Sequence, residues 1–358
     1  MSSMTGNQLK LSVFGQSHSP CIGVVIDGFP AAFRPDENRI ASFMARRAPG
    51  GSAFSTARKE ADAPKIISGL VDGMTCGAPI TAIIENTNAR SGDYANIRDV
   101  PRPGHADLTA WIKYRGVHDV RGGGHFSGRL TAPLCFAGAL AAQYLETRGV
   151  SLRTHIYAID SIKDVPYDMN DDDLPLAPDL TFPVLDEAAG YAMREAIGKA
   201  RADGDSVGGV VECAVLGLPS GLGDPMFDGV ENVFAKNLFA IPAVKGVEFG
   251  EGFAAAAMRG SAHNDALRVR NGTITSATNH AGGILGGITT GRPVIFRAAF
   301  KPTPSIAQLQ KSVSLSRRQD ADLQIVGRHD PCVVPRAAAA VEAVAAFTAL
   351  DLILTGGV

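Results

Sequence analysis

The sequence predicts an α+β protein built on antiparallel sheets. Two observations carry that expectation. Short segments alternate apolar and polar residues with the period of a strand, and longer ones repeat apolar residues at i, i+3 and i+4. Their order along the chain is mixed, with no regular strand–helix–strand repeat of the kind that builds a parallel sheet. The 358 residues, 45% hydrophobic, suffice for one large domain or two ordinary ones and argue against disorder.

In chain order, Gln8–Phe14 sets Leu9, Leu11 and Val13 against Lys10, Ser12 and Phe14, which predicts a strand. Gly15–Pro20 reads as a turn, and Ile22–Ile26 as a second strand closed by Asp27-Gly28. Ile40, Phe43 and Met44 predict a helix from Asp36 to Arg47, stopped by Pro49-Gly50. Ile80–Glu85 is a further strand. Leu134, Ala137, Ala141 and Leu145 mark a helix ending at Gly149, with Pro133 tolerable only in its first turn. The acidic, Pro-rich stretch Asp164–Pro183 predicts a surface loop or linker. Asp186–Ala202 and Val230–Ile241 read as helices, Val207–Leu216 and Val294–Phe300 as strands, and Arg336–Leu354 as a long Ala-rich helix. There is one weak internal echo. Gly23-Val24-Val25 leads through Gly28-Phe29-Pro30 into a helix, and Gly209-Val210-Val211 leads through Gly217-Leu218-Pro219 into another; duplication and two ordinary strand exits both account for it.

Composition narrows the function. Lys+Arg is 34 and Asp+Glu is 36, a formal charge of −2, which argues against a generic nucleic-acid binder relying on many phosphate contacts. Aromatic content of 6% argues against a base-stacking platform. The five scattered cysteines, with no C-x-x-C, suit a reducing compartment. Met1–Gln8 lacks a basic-then-apolar signal pattern, and no uninterrupted apolar run approaches ~18 residues. The expectation is a cytoplasmic protein without a membrane span. The 40 glycines, about one residue in nine against a usual ~7%, show no Gly-X-Y period and imply turns or backbone that approaches a ligand closely.

Several segments could carry chemistry. Arg121-Gly122-Gly123-Gly124-His125-Phe126-Ser127-Gly128-Arg129 precedes a predicted helix; glycines and a helix N-terminus can cradle a phosphate, and Arg129 offers a bidentate fork. The same stretch also reads as a plain Gly-rich turn. Arg102-Pro103-Gly104-His105-Ala106-Asp107 places a histidine suited to proton transfer in a rigid turn, or one merely satisfied by Asp107. Gly15-Gln16-Ser17-His18-Ser19-Pro20 follows a strand, where sites often sit, and also fits a polar turn. Arg46-Arg47 closes a helix and could simply complement its dipole. Asn279–Gly287 holds two Gly-Gly pairs, with close packing as the plainest account. Lys301-Pro302-Thr303-Pro304-Ser305 offers a cation and hydroxyls on a stiff loop, and Gly327-Arg328-His329-Asp330-Pro331 precedes the last helix. No H-x-x-x-H, H-E-x-x-H or C-x-x-C spacing supports a metal, and no G-x-S-x-G elbow supports a serine hydrolase.

Taken in order, these segments resemble chorismate synthases over nearly the whole chain. The resemblance rests on Phe14–His18, Arg46-Arg47, Arg102–Asp107, Ser127–Ala132, Ala243–Glu248, Arg259–Ser261, Asn279–Gly287, Lys301–Thr303 and Gly327–Cys332. It implies a single domain over residues 1–358 with a β-α-β sandwich, helices packed between antiparallel sheets, and a homotetramer. It implies 1,4-elimination of phosphate from 5-enolpyruvylshikimate 3-phosphate to give chorismate, in the shikimate pathway that leads to aromatic amino acids. Reduced FMN is required without net redox change. Whether NADPH or an external donor reduces the flavin stays open.

By the same resemblance His18 is the leaving-group acid, His105 acts beside the flavin, and Asp330 with Ser17 relays a proton. Arg46, Arg47, Arg102, Arg129 and Arg328 match substrate-binding positions. His125, Phe126, Ser127, Pro242, Ala243, Gly286, Lys301, Pro302, Thr303, Pro304, Ser305 and Arg328 match flavin contacts, and no metal is implied. The chain departs from the commonest pattern at Gln16, Ser19, Ala48, Ala53, His125-Phe126 and Pro242. Ala48, Ala53 and His125 stand where arginines are usual.

Overall fold

Strands with apolar inward faces build two five-stranded antiparallel sheets in the computed structural model, which describes residues 3–50, 61–87, 97–270, 272–325 and 329–357. The first sheet runs Met4–Thr5, Lys10–Gly15, Cys21–Asp27, Ile80–Glu85, Lys65–Ser68 in spatial order. The second runs Val244–Phe249, Val294–Phe300, Gly209–Leu216, Ser151–Ile159, Ile162–Lys163. Cys21–Asp27 and Gly209–Leu216, the two strands of the internal echo, each hold the middle of their sheet.

Helices fill the space between the sheets. Helix α1 (Glu37–Arg47) starts at Asp36, whose carboxylate accepts the backbone N–H groups of Asn38 at 2.9 Å and Arg39 at 3.2 Å. Ile40 and Met44 form its buried face. Helix α2 (Asp107–Lys113) is short. Helix α3 (Thr131–Glu146) packs on the first sheet, and α4 (Glu187–Ala202) lies against Ser151–Lys163. Helix α5 (Val230–Leu238) and the single turn α6 (Gly260–His263) precede α7 (Val334–Gly356), which packs on Ser151–Ile159 and Gly209–Leu216.

Helices α3 and α7 form the centre of the molecule. Both are apolar on nearly all sides, the pattern of a helix with no solvent face. Helix α7 is long and apolar enough to cross a membrane by length and composition, yet 89% of its apolar window is buried by the rest of the fold. At the crossing, a Cβ on Gly138 would lie 2.2 Å from Ala343 Cα, so only glycine allows this approach. Near the far end of α7, buried Asp351 accepts the N–H groups of Asn7, Gln8 and Leu9 at 2.8, 2.9 and 2.8 Å, fastening the N-terminal segment to the core.

The outer face of the second sheet is closed by the acidic segment. His155, fully buried, lies between Asp164 (2.9 Å) and Glu212 (2.8 Å), and Arg297 donates to Glu212 at 2.7 Å. Burial alone would lower the His155 pKa; hydrogen bonds to Asp164 and Glu212 outweigh it and raise it. Backbone N–H groups of Tyr167, Leu185 and Asp186 donate to the same carboxylates. The predicted loop therefore exists but covers a charged sheet face rather than bridging domains.

Most predicted elements lie within a few residues of their expected bounds. The helix expected to reach Ile241 ends at Leu238, because Phe239–Ala243 form turns that lead into the strand at Val244. Ser151–Ile159, Val244–Phe249 and the hairpins Leu267–Arg270/Thr273–Ser276 and Gln310–Ser314/Gln319–Leu323 were not expected. Gly138→Ala tests the central crossing. Alanine favours a helix by ~1 kcal/mol, yet overpacking here should leave a net destabilisation of about 1–3 kcal/mol in chemical denaturation. A gain in stability would show that the helices separate freely.

Candidate functional site

A run of three glycines borders a cleft of about 550 Å³, and the first of them, Gly122, lines it. Gly122, Gly123 and Gly124 have φ of 58°, 84° and 55°, a left-handed run that other residues rarely adopt. A Cβ on Gly122 would meet Ser17 Oγ at 2.4 Å and His18 Cε1 at 2.7 Å; one on Gly123 would meet His105 Nε2 at 3.2 Å. The Ser17 N–H donates to the Gly124 carbonyl at 3.0 Å, tying the first-sheet turn to this loop. Ser17, His18 and His105, far apart in sequence, are thus gathered on one bed of backbone.

His105 is oriented by a carboxylate. Asp107 at the start of α2 accepts the Arg102 backbone N–H at 3.0 Å, Arg102 Nε at 2.7 Å and Arg102 Nη2 at 2.8 Å. His105 Nδ1 lies 2.6 Å from Asp107 Oδ1 and 3.1 Å from Arg102 Nη2. One ring nitrogen cannot donate to the first and accept from the second. The shorter contact, to an anion, assigns Nδ1–H to Asp107 and leaves Nε2 facing Gly123. Burial pushes the Asp107 carboxyl up, but hydrogen bonds and charge from Arg102 and His105 hold it well below the carboxylate range. Asp107 therefore satisfies His105, and His105 also lines the cleft.

The opposite wall carries guanidinium groups. Arg47 and Arg129 both bind Asp62, and both line the cleft. Burial pushes the Asp62 carboxyl up, while the charges and hydrogen bonds of the two arginines win and lower it. Arg336 donates Nη1 to Asp330 at 2.5 Å and Nε to the Arg47 carbonyl at 2.9 Å. Lys301 donates to the Gly104 carbonyl, and burial, reinforced by Lys245, lowers its pKa. His329 is pushed down to about 4 by burial and by the positive charge of Arg102, so it is neutral near pH 7. The far rim is apolar: Phe239, Ile241, Pro242 and Ala243 follow α5, while the His125 and Phe126 rings pack with centroids 4.2 Å apart. Burial and nearby His118 lower the His125 pKa, which makes it a poorer cation than the arginine usual at this position.

Ser17, His105, Asp330, Arg47, Arg102, Arg129, His125, Phe126, Ser127, Pro242, Ala243, Lys301, Thr303, Pro304 and Ser305 all line this one cleft. His18 adjoins it across Gly122. Three further expected residues do not line it. Arg46 turns away, paired with Glu342 at 2.6 Å and stacked over Phe43, because adjacent helix residues point in different directions. Gly286 sits in the Ile284–Thr289 hairpin with open space beside it, and the packing account of the Gly-Gly pairs applies to its neighbour Gly287, which lies against Asp224 and Gly229. Pro302 spaces Lys301 from Thr303 without lining the cleft. Arg328 and Ala53 lie outside the described residues. Sequence reasoning missed Asp62, His329 and Arg336 as site members. Only His329 carried a local signal, its place beside Asp330.

A family profile described as chorismate synthase matches residues 9–354. The chain belongs to the chorismate synthase family. Chorismate synthase of Korarchaeum cryptofilum is 46% identical over 353 residues, covering 98% of this chain and 96% of that one. The enzyme of Thermococcus kodakarensis is 44% identical, covering 98% and 97%. A crystal structure of chorismate synthase superposes with a TM-score of 0.76 at 25% identity, covering 98% of this chain and 93% of that chain. The chain is a chorismate-forming carbon–oxygen lyase of a family that uses reduced FMN.

The Arg102–Asp107 pair generates a test. The carboxyl titrates lower in the folded protein than in the unfolded chain. Its stabilisation is thus complete above about pH 4 and fades as pH falls through the folded value. Asp107→Asn strands a buried guanidinium and should cost about 3–5 kcal/mol at pH 7 in denaturant titrations, with a shallower loss of stability on acidification. An unchanged acid limb would show that this carboxylate does not titrate differently on folding.

Proposed function

We propose that this cleft carries out the elimination, with the roles below distributed among its side chains. The observation that carries the reading is the convergence of His18, His105, Ser17 and Asp330 with Arg47, Arg102 and Arg129 about one cavity. The substrate bears two carboxylates and a phosphate, groups that guanidinium forks match in charge and shape.

The residues present also suit FMN. Ser17 Oγ and Thr303 Oγ1 are buried at the cleft without a hydrogen-bond partner, as expected of groups awaiting a ligand. The glycine bed admits a flat ring at close range, and Phe126, Phe239 and Ile241 supply apolar cover. Thr303, Ser305 and Lys301 offer hydroxyls and a cation. When bound, reduced FMN supplies an electron-rich ring that stabilises the transition state and is unchanged overall.

In this reading Arg47, Arg102 and Arg129 hold the substrate anions. A ring C–H bond breaks and its electron pair forms a new double bond, the existing ring double bond shifts by one position, and the C–O bond to phosphate breaks with its own electron pair leaving on the phosphate oxygen. His18 donates a proton to the departing phosphate oxygen, where negative charge develops. Asp330, fixed by Arg336, and Ser17 lie on the route of the ring proton. His105, held through Nδ1 by Asp107 with Nε2 towards Gly123, would keep reduced flavin bound in the cleft in its correct protonation state. The protein assembles as a homotetramer in this reading, supported by the Leu267–Ser276 hairpin, whose Leu267, Val269 and Ile274 stand exposed.

Anaerobic assay with reduced FMN and the enolpyruvyl substrate should release phosphate as chorismate appears; absence of turnover would overturn the assignment of the cleft. Repeating the assay with oxidised FMN and NADPH tells self-reduction from reliance on an external donor. His18→Ala should lower kcat by roughly 10²–10⁴ if it is the general acid, and an unchanged rate would make it structural. Light scattering should give the mass of four chains, and a monomer mass would refute the assembly.

A further inference from the structure

Arg47 ends α1, and Arg129 belongs to the turn before α3, so nothing in the local chain sets their spacing. Asp62 does. Its Oδ2 accepts from Arg47 Nη1 and its Oδ1 from Arg129 Nη1, one carboxylate oxygen for each guanidinium. The Asp62 side chain is 0% exposed, and it sits at φ 47°, a left-handed conformation uncommon outside glycine. The remaining nitrogens are anchored too. Arg47 Nε donates to Thr131 Oγ1 and Nη2 to the Gly128 carbonyl, both at 2.9 Å. Arg129 Nε donates to Asn86 Oδ1 at 2.8 Å.

The direction of approach decides what this carboxylate does. Asp62 lines a second cavity of about 630 Å³ beneath α1, shared with Met44, Ile66 and Phe136, and does not line the cleft. Arg47 and Arg129 line the cleft and not that cavity. The guanidinium pair is therefore a partition, with the cleft in front and Asp62 behind. A carboxylate standing in for a substrate anion would lie in front.

We propose that Asp62 is a positioning residue for the elimination: a rear counter-anion that holds Arg47 and Arg129 side by side, at fixed spacing, before the substrate arrives. Two buried guanidinium groups repel each other, and a shared carboxylate offsets that repulsion while using only one N–H of each. The inference rests on the reading that these arginines bind substrate anions.

Asp62→Asn keeps the shape but turns an amide N–H₂ towards one guanidinium, so that contact becomes repulsive. Expected are a rise in KM for the enolpyruvyl substrate of about tenfold or more, the scale of one lost charged hydrogen bond, and a smaller change in kcat. Affinity for reduced FMN, measured by fluorescence quenching, should stay within about twofold. A tighter KM would mean that Asp62 competes with the substrate and overturns the proposal. A lowered kcat with unchanged KM would mean general loosening and overturns it equally. Arg129→Lys separates the two levels. If it leaves KM unchanged, the substrate-binding reading itself fails. If it raises KM while Asp62→Asn does not, only the role of Asp62 fails. Should Asp62→Asn not fold, Asp62→Glu retains the charge one methylene out of place; KM raised severalfold supports the proposal, and KM unchanged overturns it.

Discussion

The close crossing of α3 and α7 is the constraint on which the rest of the molecule depends. Each sheet packs against one of these helices, and the pair is held at a distance only glycine permits, where Gly138 meets Ala343. Both helices also begin at the cleft. Thr131 follows the glycine loop and Arg129, while Val334 follows His329 and Asp330. Neither start carries a side-chain cap bond, and although the Thr131 N–H bonds back to Gly128 and Pro335 carries no N–H, the positive ends of both helix dipoles lie in the same region. The scaffold thus contributes to the electrostatics of the site before any charged side chain is counted.

Fixing the helices fixes the loops that precede them. The Gly122–Gly124 bed cannot move without shifting Ser17, His18 and His105, whose atoms fill the volume where side chains would otherwise be. Arg336, in the first turn of α7, reaches the Arg47 carbonyl at the end of α1 and so ties the start of one helix to the end of the other within the guanidinium-bearing wall. This rigidity suits a reaction whose proposed catalytic groups, Ser17 with His18, His105 and Asp330, come from three separate stretches of chain. Small errors of placement cost rate steeply when proton donor, acceptor and leaving group must be aligned together.

Sequence alone revealed those parts whose signal is local. Alternation in Gln8–Phe14 and the apolar spacing of α1 and α3 each act within a few residues, and the strands and helices followed. Ser151–Ile159 was missed because both of its faces are buried. One face packs on α7; the other carries His155 beneath the acidic segment, which hides the alternation of a half-exposed strand. The site was legible as ordered motifs, yet its wiring was not. Arg46 and Arg47 are equivalent as letters, and only the helix phase sends one to Glu342 and the other to Asp62. Asp62 lies in no motif singled out by the sequence, and what makes it notable is a pair of contacts reaching 15 and 67 residues along the chain.

On the proposed reading of the cleft, its charge balance explains how a chain of net charge −2 can hold a polyanion. Among the described residues, Arg47, Arg102, Arg129, Arg336 and Lys301 line it, opposed by Asp330 within the cleft and by Asp62 and Asp107 bound to the arginines. Each carboxylate is committed to at least one guanidinium, so the arginines are ordered in advance while a net positive charge is left over. Neutral His329 adds none, since burial and Arg102 keep it unprotonated near pH 7. Complete neutralisation would give the substrate nothing to bind, and an unpaired cluster of buried arginines would disrupt the fold. Partial pairing lies between these limits: the protein supplies enough anion to hold the cations in place, and the substrate supplies the rest.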